Sequence, residues 1–254
     1  MPPRKRFGQH FLCNPVFVTQ IIEAISLKPD DYIVEIGPGE GALTIPMLKH
    51  GLQIKAIEID RDLAAKLRTK EPESGQLQVF CEDVLRFDIS SLSPTGDPLR
   101  IVGNLPYNIS TPLLFHLLKF HSLIHDMHFM LQREVAHTLV ARAGDSDYSR
   151  LSVLVACFFD TTILFDVPPE AFHPPPAVIS SFVQMLPRAD IAVSNLKQFD
   201  QVVKLAFSQR RKTLVNAISP LLDESSLCEI GIDPRARPDA VSPSEYLRML
   251  EYLT

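Results

Sequence analysis

Tyr32-Ile-Val-Glu-Ile-Gly-Pro-Gly-Glu-Gly41 reads as a short strand that stops in a glycine turn. Its apolar, β-branched residues favour extended chain, and Gly37, Gly39 and Gly41 allow a tight turn and a close approach of backbone to ligand. Helix signals follow to His50, where Gly51 closes the segment, and Pro46 bends that helix or confines its start. A strand, a glycine turn and a helix in that order open a βαβ unit.

Working outward, the same alternation repeats. Ile54–Ile59, Leu77–Cys81, Leu99–Val102 and His128–Leu131 read as further strands with helices between them. Thr111-Pro112 starts one helix, another runs to about Arg142 and is stopped by Gly144, and a third is expected over Tyr148–Phe158. Thr162–Val167 and Ser181–Leu186 are two last strands with no full helix between them, which predicts an antiparallel hairpin at one edge. Upstream, Asn14-Pro15 is an N-cap followed by proline at the first helical position. The expected fold is therefore α/β, a Rossmann-like, mostly parallel seven-stranded sheet with an antiparallel edge strand.

After Arg188 the pattern turns helical. Phe199, Val203, Ala206, Phe207, Leu214 and Ile218 predict one long amphipathic helix, Asp233–Pro238 a loop, and Pro243 onward a closing helix. Residues 1–187 are expected to form the ligand-binding domain, with 1–13 as a mobile basic segment, and 188–254 a small all-α domain. The 254 residues carry a net charge of −5 and are 46% hydrophobic, so a core needs no staples, and the chain is no general polyanion binder. The deficit lies wholly in residues 1–187, with sixteen Lys and Arg against twenty-one Asp and Glu. Basic character is confined to Arg4-Lys5-Arg6 and Arg210-Arg211-Lys212. Cys13, Cys81, Cys157 and Cys228 form no CxxC pair, so neither structural zinc nor a disulfide framework is expected, and a reducing cytoplasm is. The N-terminus lacks the apolar stretch of a signal peptide, and no run reaches the roughly 18 apolar residues of a membrane helix.

Two acids sharpen the glycine turn. Glu58 ends the second strand about twenty residues past Gly37, where a carboxylate can accept both hydroxyls of a ribose. Asp83 ends the third strand beside the same crevice and can accept from an adenine amino group. A dinucleotide enzyme places a pyrophosphate on its glycine turn and has no need of the second acid. S-adenosylmethionine carries ribose and adenine but no phosphate, so the pair favours it. Taken singly, each acid reads as well as a solvated strand-end carboxylate.

Asn104-Leu-Pro-Tyr107 follows the fourth strand at the edge where open sheets bind ligands. Tetrapeptides of this form occur in methyltransferases that act on exocyclic amines. The lone pair of an adenine N6 is delocalised into the ring, and accepting hydrogen bonds from its N–H groups favours a pyramidal, nucleophilic nitrogen. The Asn104 side-chain oxygen and the Pro106 carbonyl are the natural acceptors, and Tyr107 offers a ring for stacking. Phe172, in a proline-stiffened loop, is expected to form the second face of the base pocket. No metal ligands are expected.

Taken together, these motifs resemble the KsgA (RsmA) family of ribosomal RNA adenine dimethyltransferases. The match runs through Lys5–Leu12, Glu35–Thr44, Asn104–Ser110, Tyr148–Ser152, Val167–Ser180 and Ala206–Leu214. The resemblance implies a class I methyltransferase acting on two adjacent adenines in the 3′-terminal hairpin loop of 16S RNA, within the small ribosomal subunit, during subunit biogenesis. It also implies that His10 and Leu12 touch the cofactor alongside Gly37, Glu58, Asp83 and Asn104. RNA contacts are expected from Arg4, Lys5, Arg6, Arg210, Arg211 and Lys212, and the working unit is expected to be a monomer. An Erm-type enzyme acting on 23S RNA, a non-catalytic RNA-binding assembly factor and a NAD-dependent dehydrogenase stand as alternatives.

Overall fold

Asn14 opens the first helix as its sequence requires, its side chain accepting the Val16 N–H at 2.9 Å. The computed structural model describes residues 9–70, 75–189, 193 and 195–254. The expected contacts of Arg4, Lys5 and Arg6 lie outside those residues. In chain order the strands are β1 (Phe11–Leu12), β2 (Tyr32–Ile36), β3 (Gln53–Ile57), β4 (Leu77–Phe80), β5 (Leu99–Asn104), β6 (Ile124–Gln132), β7 (Phe159–Val167), β8 (Phe172–His173) and β9 (Ser180–Pro187). The helices are α1 (Pro15–Ile25), α2 (Thr44–Lys49), α3 (Arg61–Arg68), α4 (Ser110–Leu117), α5 (Arg133–Val140), α6 (Arg150–Ala156), α7 (Leu196–Ser208), α8 (Leu214–Ile218), α9 (Glu224–Glu229) and α10 (Pro243–Tyr252).

Two compact units result, Met1–Ala136 with Thr162–Pro187, and His137–Thr161 with Arg188–Thr254. The helical unit thus takes in 137–161 besides the expected 188–254. In the first unit the seven-stranded sheet runs β4-β3-β2-β5-β6-β9-β7. β2 through β6 pair in parallel, and β9 runs antiparallel to β6, one place in from the edge strand β7. Strand order reverses between β2 and β5, and a crevice opens at such a switch point, outside the carboxyl ends of the strands. Gly103 is required there by close packing of strands, since a Cβ would stand 2.6 Å from the Ile36 carbonyl. Pro46 lies in the first turn of α2, which confines the start of that helix, and Gly51 at φ 79° follows its end.

At the opposite end of β5, buried Arg100 forks onto Asp126 at 2.7 and 3.0 Å, onto Asp31, and onto the Ile25 and Ser26 carbonyls at the end of α1. His128, fully buried on β6, sits 3.8 Å from Asp126, and burial pushes its imidazole down to about 4. Protonation below the unfolded value near 6.5 then favours unfolding. His128 stabilises above that value and loses its contribution as pH falls from about 6.5 to about 4, by up to about 3 kcal/mol. Glu35, which burial pushes up to about 7, acts in the opposite sense over the same window. Denaturant unfolding at pH 7 and pH 4.5 of wild type and His128→Gln isolates the histidine. The wild type is expected to lose about 2 kcal/mol more than the variant, and equal losses would contradict the assignment.

The second unit is held by buried tyrosines. Tyr148 donates to the Val241 carbonyl at 2.9 Å and Tyr246 to the Pro238 carbonyl at 2.8 Å. The single long helix expected across 199–218 is broken at Gln209–Thr213 into α7 and α8. The cause is distant in sequence: the first N–H groups of α8, from Leu214 and Val215, donate to the Ala236 and Pro234 carbonyls at 2.7 and 3.1 Å. That loop supplies the partners a helix start lacks, so a fresh start costs little. Arg210-Arg211-Lys212 therefore lies in a turn. Arg210 is a structural tie, bound to Asp239 at 3.0 Å and to the Ser146 carbonyl at 2.8 Å, while Arg211 and Lys212 are exposed.

Candidate active site

A cavity of about 300 Å³ opens in the first unit at the carboxyl ends of β2, β3 and β5. His10, Leu12, Gly37, Glu58, Asp83, Asn104, Pro106 and Tyr107, scattered over nearly a hundred residues, all line it. Gly37 and Gly39 adopt φ of 67° and 56°, in the left-handed region, and a Cβ on Gly39 would meet the Phe11 ring at 3.1 Å.

Glu58 is 5% exposed. Its Oε2 accepts the Gly39 N–H at 3.0 Å and its Oε1 the Asp60 N–H at 2.9 Å. Each oxygen keeps a lone pair, which suits two neighbouring hydroxyls. Burial raises this carboxyl above its ordinary value, while the two backbone donors oppose the rise. Asp83 Oδ1 accepts the Leu85 N–H at 3.0 Å, and its side chain remains 38% exposed at the rim.

Five acids line the cavity (Glu35, Glu40, Glu58, Glu82 and Asp83), Glu40 being paired with Lys66 at 2.8 Å, and its described lining contains no Lys or Arg. Coulomb repulsion makes this a poor seat for a pyrophosphate and a good one for a cation. S-adenosylmethionine, with a sulfonium, an ammonium and a ribose diol, fits that donor and acceptor set. Glu35 went unremarked in the sequence as a site residue. It is 2% exposed, accepts from Thr44 Oγ1 at 2.6 Å, and is pushed up to about 7 by burial. Ile59 was missed too. It is 46% exposed on the cavity wall directly after Glu58, and an apolar residue ending a strand beside a ribose acid was the available signal.

At the reaction end, Asn104 Nδ2 donates to the His10 carbonyl at 2.9 Å. That fixes the amide's orientation and leaves its oxygen as the end presented to a ligand. The His10 ring lies against the Tyr107 ring in an offset stack, centroids 5.5 Å apart and planes at 23°, and its Nδ1 meets the Pro174 carbonyl at 2.8 Å. The Tyr107 hydroxyl meets Ser180 Oγ at 2.5 Å, and burial raises its pKa, so it stays protonated.

Two of the expected groups have other partners here. The Pro106 carbonyl already accepts the Ile109 N–H at 3.1 Å and the Ser110 hydroxyl at 3.3 Å, so both its lone pairs are engaged in the turn into α4. Phe172 is 3% exposed, pairs with Leu12 through β8 and packs in the core with Val167, Met130 and Phe182. It does not line the cavity, because the β1–β8 ladder turns it inward. Phe172→Ala should therefore cost about 3–5 kcal/mol of stability in denaturant unfolding. Unchanged stability with lost activity would return Phe172 to the base pocket.

Among the described residues, no cluster of three or more His, Cys, Asp or Glu is arranged to hold a metal, and no helix is long and apolar enough to cross a membrane. A family model described as ribosomal RNA adenine dimethylase matches residues 2–254. The chain is 49% identical over 252 residues to a ribosomal RNA small subunit methyltransferase A from Methylococcus capsulatus, covering 99% of this chain and 98% of that one. It is 46% identical over 255 residues to the protein of the same description from Coxiella burnetii, covering 100% and 98%. Among solved structures, a dimethyladenosine transferase from Plasmodium falciparum matches with a TM-score of 0.80 and 26% identity, over 95% of this chain and 96% of that one. The 23S rRNA methyltransferase ErmE matches at 0.70 and 27%, over 96% and 99%.

Proposed function

The chain belongs to the ribosomal RNA adenine dimethylase family, and we propose that it dimethylates N6 of two adjacent adenines in the 3′-terminal hairpin loop of 16S RNA. It is an S-adenosylmethionine-dependent rRNA methyltransferase of the small-subunit type. The observation that supports methyl transfer to an adenine amine is the meeting, in one acidic cavity, of a doubly capped Glu58 carboxylate and an Asn104 amide bonded to His10, while the choice of RNA rests on the small-subunit relatives.

When bound, S-adenosylmethionine supplies an electrophilic methyl group on a sulfonium. Glu58 takes the ribose hydroxyls, Asp83 the adenine amino group, and Gly37 lets the backbone approach. Asn104 Oδ1 would accept a hydrogen bond from one N–H of the target N6, which favours a pyramidal nitrogen whose lone pair is free to react. With the Pro106 carbonyl engaged, the Asn104 side-chain oxygen is the acceptor assigned to the amine. One acceptor serves both rounds, since the unmethylated amine carries two N–H groups and the monomethylated amine still carries one. No strong base is needed, because the nitrogen sheds its proton after transfer has made it cationic. Positioning and electrostatics supply the rate.

Tyr107 offers the target base the ring face that His10 leaves open. An unpaired loop adenine is the least costly base to splay into such a slot. The acidic rim repels phosphates, so RNA is gripped elsewhere, by exposed Arg211 and Lys212 of the helical unit and by the Arg4-Lys5-Arg6 segment. Weak nonspecific attraction makes the enzyme depend on a preassembled small-subunit surface. The same proposal has a monomer at work in the cytoplasm.

Labelled methyl transfer, with mass mapping of the product, tests this on two substrates: small subunits lacking the modification, and naked 23S RNA. Label is expected only in the small subunits, as dimethyladenine at the hairpin. Label in 23S RNA would favour an Erm-type activity, and no label in either would favour an assembly factor.

A further inference from the structure

Ser180 begins β9, opposite Gln132 at the end of the long central strand β6. Its side chain is fully buried. A hydroxyl in that position costs free energy unless it is bonded, and its partner is the Tyr107 hydroxyl at 2.5 Å. The neighbouring Ser181 points to the other face of the sheet and donates to Asp166 at 2.6 Å, so the two serines answer to different partners. Tyr107 itself stands in the irregular segment between β5 and α4, where backbone alone holds a side chain loosely.

Two contacts then constrain the Tyr107 ring in complementary ways. Its hydroxyl lies on the Cβ–Cγ axis, so a bond there fixes the direction of that axis but not rotation about it. The His10 ring, stacked at 5.5 Å, opposes rotation about the axis. We propose that Ser180 is a positioning residue for methyl transfer, holding the Tyr107 hydroxyl so that the ring presents a fixed plane to the target adenine. The proposal rests on the reading of Tyr107 as the base platform. Ser180 touches neither cofactor nor base, and it is not among the residues lining the cavity. Its effect is to keep the reacting nitrogen in line with the methyl group, where small misplacements cost much rate.

A double-mutant cycle on single-turnover methyl transfer to small subunits tests this, with cofactor affinity measured in parallel. Ser180→Ala and Tyr107→Phe should each lower the rate about tenfold at saturating cofactor, and the cofactor Kd should not change. The double variant should be no slower than either single one. Tyr107→Phe removes the same bond from the loop side, so the measurement survives if Ser180→Ala folds poorly. Rate losses that multiply to about a hundredfold, or a Ser180→Ala rate equal to wild type, would overturn the proposal. Tyr107→Ala separates the two levels. If it retains the wild-type rate, the platform reading fails. If it loses the rate while Ser180→Ala does not, only the role of Ser180 fails.

Discussion

Glu58→Ala is expected to weaken S-adenosylmethionine binding by at least about a hundredfold in a calorimetric titration. Two hydrogen bonds to a charged acceptor contribute on the order of 3 kcal/mol together, and each factor of ten in affinity is about 1.4 kcal/mol. The residue is committed to this task by its surroundings. Gly39 and Asp60 each give one backbone N–H to one carboxylate oxygen, which fixes the orientation of the group and leaves each oxygen a lone pair for a hydroxyl. Burial works against the charge, and the two donors offset part of that cost. Glu58→Gln is expected to be nearly as damaging. One amide end would turn an N–H₂ toward a backbone N–H, so either the internal capping or the ribose contact is lost. Affinity within threefold of wild type in Glu58→Ala would show that the ribose is held elsewhere.

Asn104→Ala is the second large effect. The rate of methyl transfer at saturating cofactor and subunits should fall by about two to three orders of magnitude, the scale seen when one preorganised hydrogen-bonding group is removed from a reaction centre. Asn104→Asp distinguishes an acceptor from a mere spacer. The carboxylate would retain an oxygen toward the amine, but its second oxygen would face the His10 carbonyl where Nδ2 now donates at 2.9 Å. Two acceptors cannot share that contact, so the side chain must turn, and the rate should fall as it does for alanine. An aspartate variant with near wild-type rate would mean that His10 does not set the orientation of the amide.

The sheet was legible because its physics is local. Runs such as Tyr32–Ile36, followed by a helix, favour a parallel arrangement, and Asn104 ends its strand while Glu58 and Asp83 follow theirs by one and three residues, because strand length decides where a chain turns. What local pattern does not carry is long-range satisfaction of polar groups. The break between α7 and α8 depends on carbonyls some twenty residues downstream, and nothing in the amphipathic spacing of 199–218 encodes it. Phe172 looked like a displayed aromatic because prolines surround it, yet two residues of pairing with β1 turn it into the core. The Pro106 carbonyl looked open because a motif shows residue types and not the neighbours that Ile109 and Ser110 bring to it. Ser180 ended a matching stretch of sequence, but no residue pattern tied it to Tyr107, since a serine at a strand start is ordinary until its partner is found beside it.

The most direct measurement is a crystal structure of the chain with S-adenosylhomocysteine and an adenine-bearing RNA hairpin. Both ribose hydroxyls should lie within hydrogen-bond distance of the two Glu58 oxygens, and the target N6 should rest on Asn104 Oδ1 with its ring against Tyr107. A ribose bound away from Glu58, or a base held by Phe172 with Tyr107 unoccupied, would contradict the account.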